Sequence, residues 1–240
     1  MTPATDDPRR LAAAAAVAEV EPGMVLGLGS GRTAALAVQL LAARIAREGL
    51  RVVGIPTSER TAVLARRLGV PLTDFAAHRR IDLAIDGADQ VEGPSLHLVK
   101  GLGGALLREK IVAAASSRML VVVDASKLVP RLGDRTPLPV EIAAFGWQAT
   151  CDRLAGLGAA PTLRTLPDGA PFRTDGGNLI ADCRPPANLL AAPARLERSL
   201  TATVGVVETG LFLGLASRVL VGTPGGVRVL DLTSSPCLST

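Results

Sequence analysis

The sequence predicts an α/β protein: a Rossmann-like, mostly parallel sheet flanked by helices, with a small α+β (ferredoxin-like) inserted domain. Over the first 130 residues, short apolar runs alternate with segments of helical periodicity, which is the pattern of strand–helix–strand units with right-handed crossovers. Between residues 136 and 204 the pattern changes to shorter strands around glycine turns. We therefore expect residues 1–135 and 205–240 to form the Rossmann-like domain and residues 136–204 to form the inserted domain.

The elements of the first half follow from apolar runs and helix-end signals. The runs 24–28, 51–55, 81–85 and 119–123 are predicted strands, and the last is apolar throughout, as a fully buried strand would be. Helices are predicted at 33–48, 58–68 and 105–117, after an alanine-rich first helix at 11–18. Gly49 and Gly69 stand at helix ends, and Ser58 is a predicted N-cap.

The second half is predicted to contain shorter elements. Strands are expected at 137–142, 161–165 and 179–183, with a turn at 174–178 and helices at 148–157 and 189–200. Short strands then return at 204–212, 218–222 and 227–230, and the polar tail after Asp231 is predicted to be loose.

Composition excludes several classes of protein. The hydrophobic fraction of 48% suffices for a packed core, and a net charge of +4 without a dense Lys/Arg run suits a small anion better than nucleic acid. Aromatic residues make up only 2%, too few for base-stacking surfaces. Three separated cysteines (Cys151, Cys183, Cys237) and two isolated histidines (His78, His97) predict neither a disulfide framework nor a metal site, and a reducing, cytoplasmic compartment is expected.

The N-terminus superficially resembles an export signal. Arg9 and Arg10 precede an alanine-rich apolar run, but Asp6 and Asp7 come before them and Glu19 ends the run. The run is short for export and far too short to span a membrane. We therefore expect a helix here and no membrane partner.

Polar segments fall at the predicted carboxyl ends of four strands, at 29–33, 56–58, 86–89 and 124–127. Ligands of open parallel sheets bind at this edge. Segment 27–33 (GLGSGRT) joins a strand to a helix, where glycines and free N–H groups favour phosphate, although a simple tight turn has the same pattern. A dinucleotide is disfavoured because the second strand is not followed by an acidic residue, and a P-loop is excluded because no Gly-Lys-Ser/Thr follows.

Four ionisable residues lie within 24 positions between glycines: Asp86, Asp89, Lys100 and Glu109. Carboxylates at a strand end, an ammonium beside a glycine turn and a further carboxylate on a helix form a plausible set for proton transfer on a small polar substrate. Each residue alone also has a structural interpretation, because aspartates cap turns, and lysines and glutamates pair on solvated surfaces.

These residues also carry a family resemblance. The segments Asp86-Gly-Ala-Asp89-Gln90 and Lys100-Gly-Leu-Gly-Gly-Ala-Leu-Leu-Arg-Glu109-Lys110 resemble the ribose-5-phosphate isomerase A pattern DGADE followed by KGGGxALxxEK. Segment 27–34 is similar to GxGTGSTA of that family, and 124–127 with 137–141 is similar to its DxSK and PLPVE blocks. Further blocks, including 174–178 and 205–212, extend the resemblance from about residue 13 to 230.

The resemblance implies interconversion of D-ribose 5-phosphate and D-ribulose 5-phosphate through an enediolate, in the non-oxidative pentose phosphate pathway. It implies Glu109 as the base, Asp86 for ring opening or proton exchange, Asp89 to orient the sugar and Lys100 to stabilise the enediolate. It implies no metal or other cofactor, and commonly a homodimer or tetramer. The expected substrate-binding residues are Ser30, Gly31, Arg32, Thr33, Gly87, Ala88, Gly101, Leu102, Gly103 and Lys127, and Arg9 or Arg10 is a further phosphate candidate.

Four positions depart from the family pattern: Arg32 for serine, Gln90 for glutamate, Leu102 for glycine and Gly176 for asparagine. A leucine at 102 would be strained if that position required positive φ. Two alternatives remain open at this point. One is an isomerase for another sugar phosphate, and the other is a non-catalytic sugar-phosphate sensor, although such sensors usually carry a DNA-binding motif that this sequence does not show.

Overall fold

The computed structural model describes residues 7–232. Cys237 and the polar tail from residue 233 lie outside them. The strands, in chain order, are β1 (Val25–Leu28), β2 (Val53–Pro56), β3 (Ile81–Asp86), β4 (Gln90–Glu92), β5 (His97–Val99), β6 (Ser116–Asp124), β7 (Leu128–Val129), β8 (Leu138–Ile142), β9 (Pro161–Leu163), β10 (Leu179–Cys183), β11 (Val206–Thr209), β12 (Leu211–Phe212), β13 (Arg218–Thr223) and β14 (Gly226–Asp231). The helices are α1 (Pro8–Ala18), α2 (Arg32–Glu48), α3 (Glu59–Arg67), α4 (Leu106–Ala114), α5 (Trp147–Gly156), α6 (Ala187–Leu190) and α7 (Pro193–Thr201).

The central sheet has six strands in the order β14-β13-β6-β3-β1-β2, and only β14 is antiparallel. The chain leaves β1 for β2 on one side and then returns to β3 on the other. Strand order therefore reverses beside β1, and a crevice opens between the carboxyl ends of β1 and β3 where ligands of such sheets bind. The predicted α/β fold with a mainly parallel sheet is confirmed.

Apolar residues pack on both faces of this sheet. Ala13 of α1, Leu41 of α2 and Leu83 of β3 belong to the core on one face, and Val112 of α4, Met119 of β6 and Phe212 belong to the core on the other. The predicted helix 105–117 ends earlier, at Ala114, because β6 begins at Ser116 and pairs with β3 from that residue. Gly49 and Ser58 cap helices as predicted.

The second sheet is antiparallel, in the order β11-β8-β10-β9, and shares an apolar core with α5, α6 and α7. The predicted helix 189–200 is two helices, α6 and α7, because Pro193 has no N–H to continue α6 and instead begins α7. Strand β11 pairs with β8 although it follows residue 204. The division into 1–135 with 205–240 and 136–204 stays a prediction.

A third sheet, in the order β12-β5-β4-β7, was not predicted. Its strands are only two or three residues long, so they show no periodicity. It sets the path from Asp89 to Lys100, because β4 and β5 form the hairpin between them. Within residues 7–232, no helix is both long enough and apolar enough to cross a membrane.

Candidate active site

A cleft of ≈ 350 Å³ opens at the carboxyl edge of the central sheet, where strand order reverses. Segments after β1, β2, β3 and β6 contribute to it, together with the turn before α4 and two residues that follow β9, Phe172 and Asp175. Its lining residues are Arg9, Ser30, Gly31, Arg32, Thr33, Ser58, Arg60, Gly87, Ala88, Asp89, Lys100, Gly101, Gly103, Gly104, Ala105, Glu109, Asp124, Lys127, Phe172 and Asp175.

The loop after β1 is held against the end of β3. A Cβ atom on Gly29 would collide with the Asp86 carboxylate, so only glycine fits there. The backbone N–H of Ser30 donates to Asp86 Oδ1 at 3.0 Å. Gly31 follows with φ of 93° as the N-cap of α2, and no side chain caps this helix. The free N–H groups of its first turn are therefore available to an anion in the cleft.

The Ser30 hydroxyl makes its hydrogen bonds within the protein. It lies 2.7 Å from Thr57 Oγ1 and 2.7 Å from Ser58 Oγ, and Ser58 also caps α3 by accepting from the N–H of Thr61. These contacts join the loop after β1 to the loop after β2. Ser30 therefore shapes the anion-binding loop through its side chain, while its backbone faces the cleft.

Asp86, Lys100 and Glu109 form a buried cluster beneath the cleft. Lys100 Nζ lies 3.0 Å from Asp86 Oδ2 and 3.4 Å from Glu109 Oε2, and it donates to the Gly87 carbonyl at 2.6 Å. All three side chains are less than 10% exposed. Asp86 Oδ1 also accepts from the N–H of Gly87 at 2.7 Å. One buried ammonium thus serves two carboxylates, and Asp86 has more hydrogen bonds than Glu109.

Burial and the neighbouring charges in this cluster favour the protonated form of Glu109. Burial raises the pKa of Glu109 to about 8, against the attraction of Lys100 and with help from the negative Asp86 and Asp89. Burial also raises the pKa of Asp86, although Lys100 and two backbone N–H groups oppose the rise. Burial opposes the charged form of Lys100, but the two carboxylates outweigh it and raise the Lys100 pKa. The ammonium therefore stays charged, and Glu109 can gain or lose a proton near neutral pH.

Asp89 fixes the glycine turn that follows Lys100. Its Oδ2 accepts from the N–H of Leu102 at 2.9 Å. Positive φ occurs at Gly101 and Gly104, at 105° and 81°, but not at Leu102. The leucine is therefore unstrained, and its side chain points away from the cleft, 38% exposed.

Arg164, which follows β9, holds the other side of this turn. Arg164 Nη1 donates to the carbonyls of Gly101 and Leu102, each at 3.0 Å, and the same guanidinium forms a bidentate pair with Asp182. The turn beside Lys100 is thus held by Asp89 and by Arg164.

The helix that carries Glu109 is anchored at both ends. Its N-cap, Ala105, has no side chain able to cap it, and the backbone N–H of Leu107 lies near buried Glu141 on β8, whose charged form it favours. Glu141 Oε1 accepts from Thr174 and Asn178, each at 2.9 Å. Farther along α4, Lys110 pairs with Glu208 at 2.7 Å and with Glu197 at 3.2 Å. Glu109 therefore sits on a helix with little freedom to move.

Basic residues surround the mouth of the cleft. Arg9 and Lys127 line it near the end of β6, and Arg32 and Arg60 line it at the first turns of α2 and α3. Within residues 7–232, Arg32, Arg60 and Lys127 have no carboxylate within ion-pair distance, whereas Arg9 pairs with Asp7 at 2.9 Å. Arg10 does not line the cleft. This distribution of charge suits an anionic ligand.

The structure brings together most of the residues singled out in the sequence. Asp86 lies beneath the cleft and Leu102 lies outside it, while the other predicted residues line it. Sequence reasoning missed Arg60, Gly104, Ala105, Phe172 and Asp175 as lining residues, whereas Ser58 and Asp124 fall in segments that were expected at this edge. Phe172 and Asp175 lie between β9 and β10, away from the motifs that carry the predicted chemistry. The resemblance of segment 174–178 to a family block was the only available signal for Asp175.

No metal centre is evident at this site. Among the histidine, cysteine, aspartate and glutamate side chains between residues 7 and 232, no three are placed to hold a metal ion. The buried ionisable residues beneath the cleft are instead paired with one another or with backbone N–H groups.

Sequence comparison gives a consistent set of relatives. A family model described as ribose 5-phosphate isomerase A (phosphoriboisomerase A) matches residues 53–226. A ribose-5-phosphate isomerase A from Gloeobacter violaceus is 56% identical, covering 95% of this chain and 97% of the relative. One from Gluconobacter oxydans is 53% identical, covering 92% of this chain and 94% of the relative.

Solved structures agree with this set. A ribose 5-phosphate isomerase A from Methanocaldococcus jannaschii superposes with a TM-score of 0.90 at 38% identity, covering 95% of this chain and 100% of that one. A D-ribose-5-phosphate isomerase in complex with phospho-erythronic acid superposes with a TM-score of 0.88 at 36% identity, covering 93% of this chain and 97% of that one.

Proposed function

The chain belongs to the ribose 5-phosphate isomerase A family, and we propose that Glu109 is the general base of the aldose–ketose isomerisation that it catalyses. The enzyme interconverts D-ribose 5-phosphate and D-ribulose 5-phosphate, a step of the non-oxidative pentose phosphate pathway. The observation that carries the proposal is a buried carboxylate that faces the cleft, with a pKa of about 8 and one oxygen free of hydrogen bonds within residues 7–232.

The reaction needs one group that both takes and returns a proton on carbon. From open-chain ribose 5-phosphate, ionised Glu109 removes the proton from C2, and the electron pair moves through C1 to leave an enediolate. The same carboxyl then delivers a proton to C1, and the proton of the C2 hydroxyl passes to the oxygen on C1, which leaves a ketone at C2 and a hydroxyl at C1 in ribulose 5-phosphate. A base with a pKa close to the working pH serves both directions.

Lys100 is proposed to stabilise the charge that moves during these steps. In the free protein its ammonium contacts Asp86, Glu109 and the Gly87 carbonyl. When Glu109 becomes neutral by taking the C2 proton, negative charge appears on the enediolate oxygens, and the ammonium can turn to them. A donor already in place and shielded from water stabilises such charge with little reorganisation.

Asp86 and Asp89 have separate proposed roles. Asp86, whose pKa is raised by burial, exchanges protons with the sugar oxygens during ring opening and isomerisation. Asp89 lines the cleft and holds the glycine turn through the N–H of Leu102, so it orients both the sugar and the turn.

The phosphate is proposed to bind at the first turn of α2. In the loop of Ser30, Gly31, Arg32 and Thr33, the first turn of α2 offers free N–H groups, and Lys127 and Arg9 offer positive charge on the side of β6. Gly87, Ala88, Gly101 and Gly103 then line the path of the sugar toward Glu109. This direction places the reacting carbons deepest in the cleft, over the buried cluster.

A direct assay tests this proposal. Purified protein is given ribose 5-phosphate with EDTA present, and formation of ribulose 5-phosphate is followed for the wild type, Glu109→Gln and Glu59→Gln. Glu59 is an exposed helix glutamate and serves as the matched control. We expect the wild type and Glu59→Gln to convert ribose 5-phosphate in the presence of EDTA. We expect Glu109→Gln to have lost this activity. Full activity of Glu109→Gln would overturn the role given to this residue.

We also propose a homo-oligomer, a dimer or tetramer, working in the cytoplasm on a sugar phosphate without nucleic acid or membrane partners. Phe145 and Val204 are 97% and 77% exposed beside the antiparallel sheet, which supports a contact between subunits there. Light scattering after size exclusion is expected to give a multiple of the 24.6 kDa chain mass, and a mass of one chain would overturn the proposal.

A further inference from the structure

The cleft has one bulky apolar wall, the ring of Phe172. Its lining is otherwise polar, charged or made of glycine and alanine, so Phe172 is the only aromatic side chain among the described lining residues. The residue comes from the inserted domain, just before the turn at 174–178. It belongs to none of the motifs that carry the predicted chemistry.

The ring lies against the glycine turn beside the reacting groups. A Cβ atom on Gly104 would collide with the far edge of the Phe172 ring, so the two are in close contact. Gly104 directly precedes Ala105 and the helix of Glu109. Phe172 thus borders the part of the cleft where the glycine turn leads into the helix of Glu109.

The ring is also held in place from behind. The Arg164 guanidinium lies 5.8 Å from the ring centroid, and the N–H of Phe172 donates to the Arg164 carbonyl at 2.9 Å. Arg164 in turn pairs with Asp182 and donates to the carbonyls of Gly101 and Leu102. Arg164 therefore holds both the Phe172 ring and the turn at 101–104. The ring has little freedom to move aside for a longer ligand.

From this arrangement we infer that Phe172 determines the chain length of the sugar, admitting five-carbon phosphates and rejecting their six-carbon homologues. The inference rests on the proposed function, which sets the phosphate at the first turn of α2 and carbons 1 and 2 at Glu109. With the phosphate fixed, an added CHOH unit moves the carbonyl end toward Gly104 and Phe172. The homologue either meets the ring or loses its alignment with Glu109.

D-Allose 6-phosphate is the sharpest probe, because it has one more CHOH unit than D-ribose 5-phosphate and the same configuration at every shared centre. The experiment measures kcat/KM for both aldoses in the wild type, Phe172→Leu and Phe172→Ala. Phe145→Ala is the control, since it makes the same change at a fully exposed phenylalanine outside the cleft. The ratio of the two kcat/KM values is compared within each variant, so partial loss of folded protein cancels.

The wild type is expected to prefer the five-carbon substrate strongly. Phe172→Ala should narrow the preference by about tenfold or more, the size of effect associated with one carbon unit in a closed pocket, and Phe172→Leu should narrow it less. Phe145→Ala should leave it unchanged. If the ratio of the two kcat/KM values in Phe172→Ala and Phe172→Leu is within twofold of the wild-type ratio, the inference is overturned. The proposed function would then stay intact. A wild type that does not convert ribose 5-phosphate would overturn both.

Discussion

Lys100 Nζ lies 3.4 Å from Glu109 Oε2, and that oxygen has no hydrogen-bond partner within residues 7–232. Buried carboxylate oxygens are nearly always hydrogen-bonded, so one that has only an ion pair, on a residue that lines a cleft, points to a group that acts on a ligand. Asp86 is different, because Lys100 and the N–H groups of Ser30 and Gly87 all contact it. The same ammonium therefore supports one carboxylate that is held in place and one that is free to react.

The pH profile should follow the ionisation of Glu109. A base must be ionised to take a proton, and the pKa of Glu109 is about 8 because it is buried. We expect kcat/KM for ribose 5-phosphate to rise about tenfold per pH unit well below pH 8 and to level off above it. Initial rates between pH 6 and 9.5 measure this. A profile that is flat over that range would contradict the assignment.

The free energy of unfolding should fall as the pH rises, whereas kcat/KM should rise. The folded-state pKa of about 8 lies above the ordinary 4.5, so folded protein holds this proton more tightly, and stability falls as pH rises from 4.5 to 8. Glu109→Gln resembles the protonated acid and avoids that loss. Its free energy of unfolding should exceed that of the wild type by on the order of 3 kcal/mol above pH 8, and by much less at pH 5.

Urea denaturation at pH 5 and pH 9 measures this difference. Glu59→Gln, on the exposed first turn of α3, should show no comparable gain at pH 9. If Glu109→Gln is equally stable relative to the wild type at both pH values, Glu109 does not carry a raised pKa.

Glu141 should act on catalysis through α4 without touching the substrate. It is 1% exposed, accepts hydrogen bonds from Thr174 and Asn178, and lies near the N–H of Leu107 at the start of that helix. Glu141→Leu leaves several polar groups unpaired and should cost about 2–4 kcal/mol of stability. We expect kcat to fall at least several-fold while the KM changes little. A raised KM with normal kcat would show that Glu141 does not position the base.

Arg32 should contribute charge to phosphate binding. It lines the cleft at the first turn of α2 and has no carboxylate partner in the described residues. Arg32→Ser, which restores the residue usual in the family pattern, is expected to raise KM about two- to tenfold and to weaken its dependence on salt. Arg51→Ser, exposed and outside the cleft, is the control. An unchanged or lower KM in Arg32→Ser would show that this arginine crowds the site.

The central sheet and the reacting cluster were predictable because local patterns specify them. The alternation of strands and helices predicts a parallel sheet and therefore which edge of it binds ligands. Asp86, Lys100 and Glu109 are close enough in the sequence to be expected together at that edge. The burial of Lys100 was not predictable, since it depends on a third sheet whose strands are too short to show a period. Phe172 and Arg164 were missed because their contacts with the turn at 101–104 join distant parts of the chain. Long-range packing of this kind leaves no local signature.

The most direct test of Glu109 as the base is the exchange of the C2 proton of ribose 5-phosphate in D2O, followed by NMR. The wild type should replace this proton and form ribulose 5-phosphate labelled at C1. Glu109→Gln, shown by calorimetry to bind the sugar phosphate still, should exchange it at least about a thousandfold more slowly, as expected on removing the proton-transfer group. Exchange by Glu109→Gln within tenfold of the wild-type rate would contradict the account.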